Sequence, residues 1–288
     1  MVTTSSSVEI FDRKRLAAAR ARTQKQFGDY NFLHTWANAR LAERLEDIRR
    51  DYTIALHIGP QAPALSVPHY YKMDGVQADV IAEEEFLPFS DGSLDLVTST
   101  MSLHMVNDLP GALVQIRRAL KPDGLFLAAM AGGETLHQLR ACLAEAELAL
   151  KGGISPRVYP FADKQQTGAL LQRAGFNLPV VDSEMVTVTY DTIFKLFHDL
   201  RGMGQNNVIS ERSRTFTSRS LFMKAAEIYQ SKYAEKDGRI AATFEIIFMI
   251  GWAPHESQQK PLRPGSATKR LADALGTDEI KTGQKATP

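Results

Sequence analysis

Glu83-Glu84-Glu85-Phe86-Leu87-Pro88-Phe89-Ser90-Asp91-Gly92-Ser93-Leu94-Asp95-Leu96-Val97-Thr98-Ser99-Thr100, with the run that continues to Met130, decides the fold. A short apolar strand, Ala78 to Ala82, leads into the three acids. Leu94 to Thr100 is a second strand, and its nearly unbroken β-compatible run predicts burial on both faces. After Ser102-Leu103-His104 comes a helix whose apolar positions Leu113, Ile116, Ala119 and Leu120 recur at helical spacing. Lys121-Pro122-Asp123-Gly124 closes it. Leu125 to Met130 is a third buried strand. Strand, crossover helix, strand is the repeating unit of a parallel sheet, and such sheets bind ligands at the carboxyl ends of their strands. Glu83, Ser102 to Asp108 and Gly132 to Thr135 fall at those ends.

Four motifs carry a family resemblance: Glu84-Glu85-Phe86-Leu87-Pro88-Phe89, Asp95-Leu96-Val97, Ser102-Leu103-His104 and Leu120-Lys121-Pro122-Asp123-Gly124. They resemble the later motifs of class I S-adenosylmethionine (SAM) methyltransferases. Within that superfamily the chain is similar to the complex I assembly methyltransferase-like proteins of the arginine-hydroxylase type, over about Phe11 to Ala267. It more distantly resembles the malonyl-carrier-protein methyltransferase of biotin synthesis. The resemblance implies an α/β, Rossmann-like class I methyltransferase sheet with helices on both faces. It places Gly59 beside the amino-acid end of SAM, Glu83 with its neighbour Glu84 near the adenine amine, and Ser102 and Leu103 at the pocket wall. His104 and Asp108 would face the transferred methyl group. His104 is also readable as a structural histidine at the strand end; its ordinary pKa, near ~6.5, suits a base.

Working outward toward the amino terminus, the first strand, Thr53 to Ile58, should deliver a glycine-rich cofactor turn. Where the family shows Asp-x-Gly-x-Gly-x-Gly, this chain reads His57-Ile58-Gly59-Pro60-Gln61-Ala62-Pro63. One glycine of three remains, the acid is replaced by His57, and two prolines remove amide donors. The span Gly59 to Gln77 is also too short for a helix, a strand and a second helix of normal size. The first half of the sheet is therefore abbreviated: a poor helix over Ala62 to Val67, an extended Tyr70 to Met73, and a turn at Asp74-Gly75. Asp74 is readable as the strand-end acid that binds ribose or as a plain turn residue.

Residues 1–52 read as a helical extension. Phe11 to Phe27 holds Arg13, Lys14, Arg15, Arg20, Arg22 and Lys25 against Asp12 alone, either a solvated face or a contact for an acidic partner or phosphate. A second helix follows, with Phe32, Leu33, Trp36, Leu41, Leu45 and Ile48 at helical spacing. The resemblance lays this lead-in over the cofactor pocket. The methyltransferase-like domain should run over residues 53–258.

Beyond Met130, Glu134 opens a helix over Leu136 to Leu150, as ligand or as a charge at the helix start. A helix over Lys164 to Ala174, a strand over Val180 to Tyr190 and a helix over Thr192 to Leu200 come next. Asp199-Leu200-Arg201-Gly202-Met203-Gly204-Gln205-Asn206 resembles a signature of the assembly-factor branch. It reads as a substrate-side site in which Asp199 pairs with an arginine and Arg201 adds charge, or as a glycine-capped helix end. A helix over Ser220 to Tyr233 and a strand over Thr243 to Trp252 complete the domain. Residues 259–288 turn polar, with a short helix possible over Ala267 to Leu275 and disorder expected in the rest.

Composition narrows the class. At 288 residues and 44% hydrophobic content, one sizeable core is expected, and a formal charge of +1 supplies no global field for nucleic acid. The single Cys142 excludes an intramolecular disulfide framework and fits a reducing compartment. No apolar run reaches membrane-spanning length, and Met1 to Ile10 contains no Arg, so a cytoplasmic bacterial protein is the expectation. The histidines form no His-x-Asp, His-x-Glu or His-x-x-x-His pattern, so no metal ligands are assigned. Methyl transfer is an in-line displacement that needs alignment more than a dedicated catalytic group. Two functions follow: a SAM-dependent transferase or hydroxylase acting on a protein side chain of a respiratory-complex subunit, or a non-catalytic assembly factor that kept the sheet and lost the cofactor.

Overall fold

A computed structural model describes residues 9–259 and positions 273, 276 and 277. Seven strands form one sheet in the order β3-β2-β1-β4-β5-β7-β6. Its strands are β1 (Ile54–Ile58), β2 (His69–Asp74), β3 (Val80–Ile81), β4 (Leu94–Thr100), β5 (Leu120–Ala131), β6 (Asn177–Tyr190) and β7 (Ile240–Trp252). The first five run parallel, and β7 inserts antiparallel between β5 and β6. This is the α/β, Rossmann-like sheet that the motifs around Leu94 to Met130 imply.

Helices cover both faces because each carries one apolar stripe. On one face, α3 (Leu109–Ala119) buries Ala112, Leu113, Ile116 and Ala119, the spacing of a single helix side. Leu113 and Ile116 each contribute about 1.5–3 kcal/mol by leaving water. With α5 (Lys164–Arg173) they close over Leu56, Val97, Phe126 and Met249. On the other face lie α2 (Phe32–Glu46), α4 (His137–Lys151), α6 (Ile193–Gly202) and α7 (Arg219–Tyr233), packed on Leu127, Ala129, Phe244 and Phe248. The lead-in helix α1 (Arg13–Thr23) buries Leu16, Ala19 and Thr23, and Asp12 caps it by accepting from the Arg15 amide. It belongs to the same unit as the sheet, which spans residues up to His255.

The abbreviated half is confirmed and is shorter than the sequence reading allowed. Residues 59–68 link β1 to β2 without any helix, so the poor helix expected over Ala62 to Val67 is absent. Pro60, Pro63 and Pro68 explain this: each lacks a donor and pushes the preceding residue out of the helical region. Residues 75–79 likewise carry β2 into a β3 of only two residues. The expected tail, residues 259–288 with a helix over 267–275, lies almost wholly outside the described residues.

Candidate functional site: a cleft closed by arginines

The site is built at the carboxyl ends of β1, β2 and β4. Gly59 follows β1 at φ +134°, donates its amide to Met73 O at 2.9 Å, and leaves a Cβ no room, since one would lie 2.8 Å from Thr100 O. Only glycine suits that combination. His57, where the resemblance expects an acid, is fully buried below the turn with Nδ1 3.0 Å from Thr98 Oγ1. Burial, helped by Lys72 and His34, pushes its pKa down to about 3, so it is neutral.

Asp74 ends β2 and is buried, with both carboxylate oxygens engaged. Oδ2 accepts from the Val76 amide at 3.1 Å, and Oδ1 accepts from Arg20 Nη1 at 3.2 Å. The same guanidinium donates to Glu84 Oε1 at 2.9 Å and, through Nη2, to Ser102 Oγ at 3.3 Å. Glu84 is 2% exposed, and Arg13 and the Ser102 hydroxyl also donate to it. Burial opposes its ionisation, but Arg20, Arg13 and Ser102 outweigh that and hold the carboxyl well below the carboxylate range. Glu83 is half exposed, with one oxygen 3.5 Å from Arg13 Nε. Asp74, Glu83, Glu84 and Ser102, all assigned to cofactor, therefore close on two guanidiniums of the protein's own first helix.

Two adjoining cavities lie behind this cluster. The larger one, about 210 Å3, is lined by Arg20, Thr23, Pro60, Lys72, Asp74 and Gln77. The smaller one, about 70 Å3, is lined by Leu33, Leu136, Leu139, Phe161 and Phe244 and also by His104 and Arg157. His34, Met101, Met203 and Gln205 line both. His104 sits in a 3-10 turn after β4, and burial and the Arg20 charge push it down to about 4 although the Gln205 side chain opposes this. His34, from α2, is pushed down to about 3 by burial and by the charges of His104 and Arg20.

The remaining predicted residues scatter. Leu103 packs into the core with Leu56 and Ile58 instead of lining either cavity. Asp108 is exposed and caps α3, accepting from the Gly111 amide at 2.8 Å; its place facing a methyl group is therefore corrected. Asp199 lies beside Tyr190, whose hydroxyl is pushed up by burial and then by that carboxylate. Arg201 is exposed on a groove with Arg157, Phe197 and Phe222, and no ion pair joins it to Asp199 among the described residues. Glu134 is exposed, and its backbone amide donates to Glu245. Gly202 lets the Tyr30 ring lie against α6, where a Cβ would collide with it, and Gly204 takes φ +76° beside Thr23. These glycines fasten the lead-in segment over the cleft. Sequence reading missed His34, had Gln205 only as part of the Asp199 to Asn206 stretch, and named Arg13 and Arg20 as a basic face without their partners in the sheet. The available signal was the seven-residue interval between Arg13 and Arg20, which puts both on one side of α1.

The comparisons agree with this geometry. Residues 40–128 match the model of a methyltransferase domain. The mitochondrial arginine-hydroxylase NDUFAF5 of Danio rerio is 37% identical over 96% of this chain and 93% of its own length. The chain belongs to the NDUFAF5 family. A malonyl-[acyl-carrier protein] O-methyltransferase of Xylella fastidiosa is 33% identical over 61% of this chain and 57% of its own. The YcgJ protein of Bacillus subtilis shares the fold at a TM-score of 0.51 and 15% identity, over 75% of this chain and 98% of its own. The NDUFAF5 relatives correct the expected location: those matching along nearly the whole chain are mitochondrial, so the bacterial cytoplasmic assignment is overturned. Composition bears on redox conditions rather than on address. No described helix is long and apolar enough to cross a membrane.

Proposed function

We propose that this protein is an arginine-directed assembly factor of respiratory complex I. It uses the cleft of a methyltransferase sheet to take hold of an arginine side chain on a partner subunit. The observation that supports this best is the relationship to arginine-hydroxylase NDUFAF5 over 96% of the chain. The chemistry of the cleft agrees with it: buried carboxylates, neutral imidazoles and a hydroxyl are all hydrogen-bond acceptors for guanidinium.

The cofactor of the fold family is SAM, and the residues do not fit it in this conformation. Each oxygen of Asp74 already accepts one hydrogen bond, so ribose hydroxyls would have to share them with Arg20 and the Val76 amide. Pro60 and Pro63 offer no amide where the cofactor's amino-acid end would lie. The larger cavity, about 210 Å3, falls below the ~300–1,000 Å3 of ordinary ligand pockets. This closure favours a second reading, a binding factor that holds the partner arginine without modifying it. The protein's own residues then supply the same work in either case: they exclude water, keep His34 and His104 neutral, and orient a cationic side chain.

Mass spectrometry of complex I subunits separates the two. In a strain lacking this protein, an arginine normally bearing an added oxygen atom or methyl group should lose it and regain it on complementation. Assembly restored with no change on any arginine would leave the binding factor alone standing.

A further inference from the structure

Arg13 and Arg20 spend one side of the basic first helix on the sheet's own carboxylates, but Arg15 does not join them. It lines a groove of about 730 Å3 between the start of α1 and residues 207–217, together with Asp12, Arg157, Arg212 and Arg214. Four guanidiniums against one carboxylate make a net +3, in a chain whose formal charge is only +1. Counting Glu147, the buried partner of Arg157, still leaves +2. The exposed sequence neighbours Lys14, Glu211 and Arg219 add one more positive charge. One sign of charge gathered in a concave surface concentrates ligands of the other sign.

The four arginines divide into two pairs. Arg212 donates to Asp12 Oδ2 at 3.2 Å and to Ile209 O at 2.8 Å, and Arg157 donates to Glu147 Oε1 at 2.9 Å and to Thr217 Oγ1 at 3.1 Å. With Asn207 Nδ2 donating to Pro156 O at 2.9 Å, these bonds pin the segment and set the groove before any ligand arrives. Arg15 and Arg214 are exposed, and neither has an ion pair among the described residues. Arg15 donates Nε to Asn207 O at 3.3 Å, which orients its fork along the groove rim.

Shape and pairing select among anions. Phe216 is fully exposed but lines the groove, so its ring is a wall for a chain lying inside instead of a wedge aimed at a bilayer. A nucleic acid backbone calls for a row of unpaired cations, and two stand here. Two open forks suit two carboxylates, each of which accepts bidentately, and arginine clusters read acidic peptide motifs in this way. Arg157 and Asn207 also line the smaller cavity of the cleft, so a chain held in the groove continues toward it.

We propose that this groove docks an acidic segment of the partner protein, two of whose carboxylates pair with Arg15 and Arg214, and that it thereby brings the adjoining residues of that partner to the cleft. This rests on the partner-directed reading above and adds to it the charge of the segment that flanks the residue taken hold of.

The full chain is titrated, by fluorescence anisotropy, with an octapeptide of alternating aspartate and alanine carrying a neutral dye, and with its asparagine counterpart. The aspartate peptide should bind about tenfold more tightly or better, and less tightly as salt rises. Arg15→Gln combined with Arg214→Gln should weaken it about tenfold or more at an unchanged melting temperature. Lys164→Gln combined with Arg173→Gln removes the same charge from α5 and should alter binding less than about twofold. Equal binding of the two peptides, or equal losses in the two double variants, overturns the groove. So does a silent peptide alongside binding to phosphatidylglycerol vesicles that the Arg15 and Arg214 changes abolish, which would give these arginines to a membrane surface. An arginine mark on complex I that depends on this protein, combined with a silent peptide, would keep the proposed function and reject the groove. Peptide binding that needs Arg15 and Arg214, with neither a mark nor an effect on assembly, would do the reverse.

Discussion

Arg20 Nη1 lies 3.2 Å from Asp74 Oδ1 and 2.9 Å from Glu84 Oε1, so one guanidinium of the first helix joins the ends of two sheet segments. The acid that would hold ribose is already holding a cation. Wild-type protein should therefore bind SAM weakly or not at all. Hydrogen bonds to charged groups contribute roughly 1.5–3 kcal/mol each, so two missing ones weaken binding more than about a hundredfold. Calorimetry checks this, and an affinity in the low-micromolar range would reject it.

The same cluster gives stability a pH dependence of known sign. Glu84 has a folded-state pKa depressed below the ordinary 4.5 of a glutamate, by Arg20 and Arg13 acting against burial. A depressed carboxylate contributes stability above its unfolded pKa and loses it as pH falls through the folded one. Glu84→Gln should thus destabilise the protein strongly at neutral pH, by about 3–5 kcal/mol, because two largely covered guanidiniums lose their shared buried partner. The gap between variant and wild type should narrow as pH drops below about 4.5. Urea midpoints measured across that range test it; a gap that stays constant would mean Glu84 acts through packing alone.

Gly202 and Tyr30 form a size-matched pair: the ring lies where a Cβ would stand, and the Tyr30 hydroxyl is 2.7 Å from His198 Nε2. Gly202→Ala should loosen the turn over residues 24–30 and speed proteolysis near α1. Adding Tyr30→Ala should recover part of the loss, since contacting residues couple by about 0.5–3 kcal/mol. Strictly additive effects in the double variant would show that the two do not communicate.

These relationships mark the limit of what the sequence discloses. The strand–helix–strand order from Leu94 to Met130 was legible because buried parallel strands need continuous apolar runs, and the crossover helix repeats its core face every three or four residues. The shortness of Gly59 to Gln77 was legible as arithmetic on chain length, although the prolines removed even the helix that reading kept. The site was less legible. Gly59, Asp74, Glu84 and Ser102 do converge, but their partners Arg13 and Arg20 come from a helix more than fifty residues earlier. A basic helical face has the same local pattern whether it meets water or a buried carboxylate. Asp108 misled for a related reason: an acid before a helix has an ordinary use as a cap.

The last prediction concerns the partner face. Asp199 and Arg201 share the α6 end, yet the structure gives them different surroundings. Asp199 is half buried beside Tyr190, whereas Arg201 is exposed on a groove with Arg157, Phe197, Phe222 and Asn206. We expect Arg201 to meet the partner subunit and Asp199 to act partly through the fold. Arg201→Met should leave thermal stability nearly unchanged, within about 0.5 kcal/mol, as exposed substitutions do. It should nevertheless impair complex I assembly. Asp199→Asn should lower stability first, and the assembly defect should follow the amount of folded protein. A charge reversal sharpens the contrast, because Arg201→Glu should slow association and remove part of its salt dependence if the partner's surface is acidic. Complementation of a deletion strain, scored beside the soluble level of each variant, provides the readout. Normal assembly with Arg201→Glu at normal abundance would remove this groove from the partner interface.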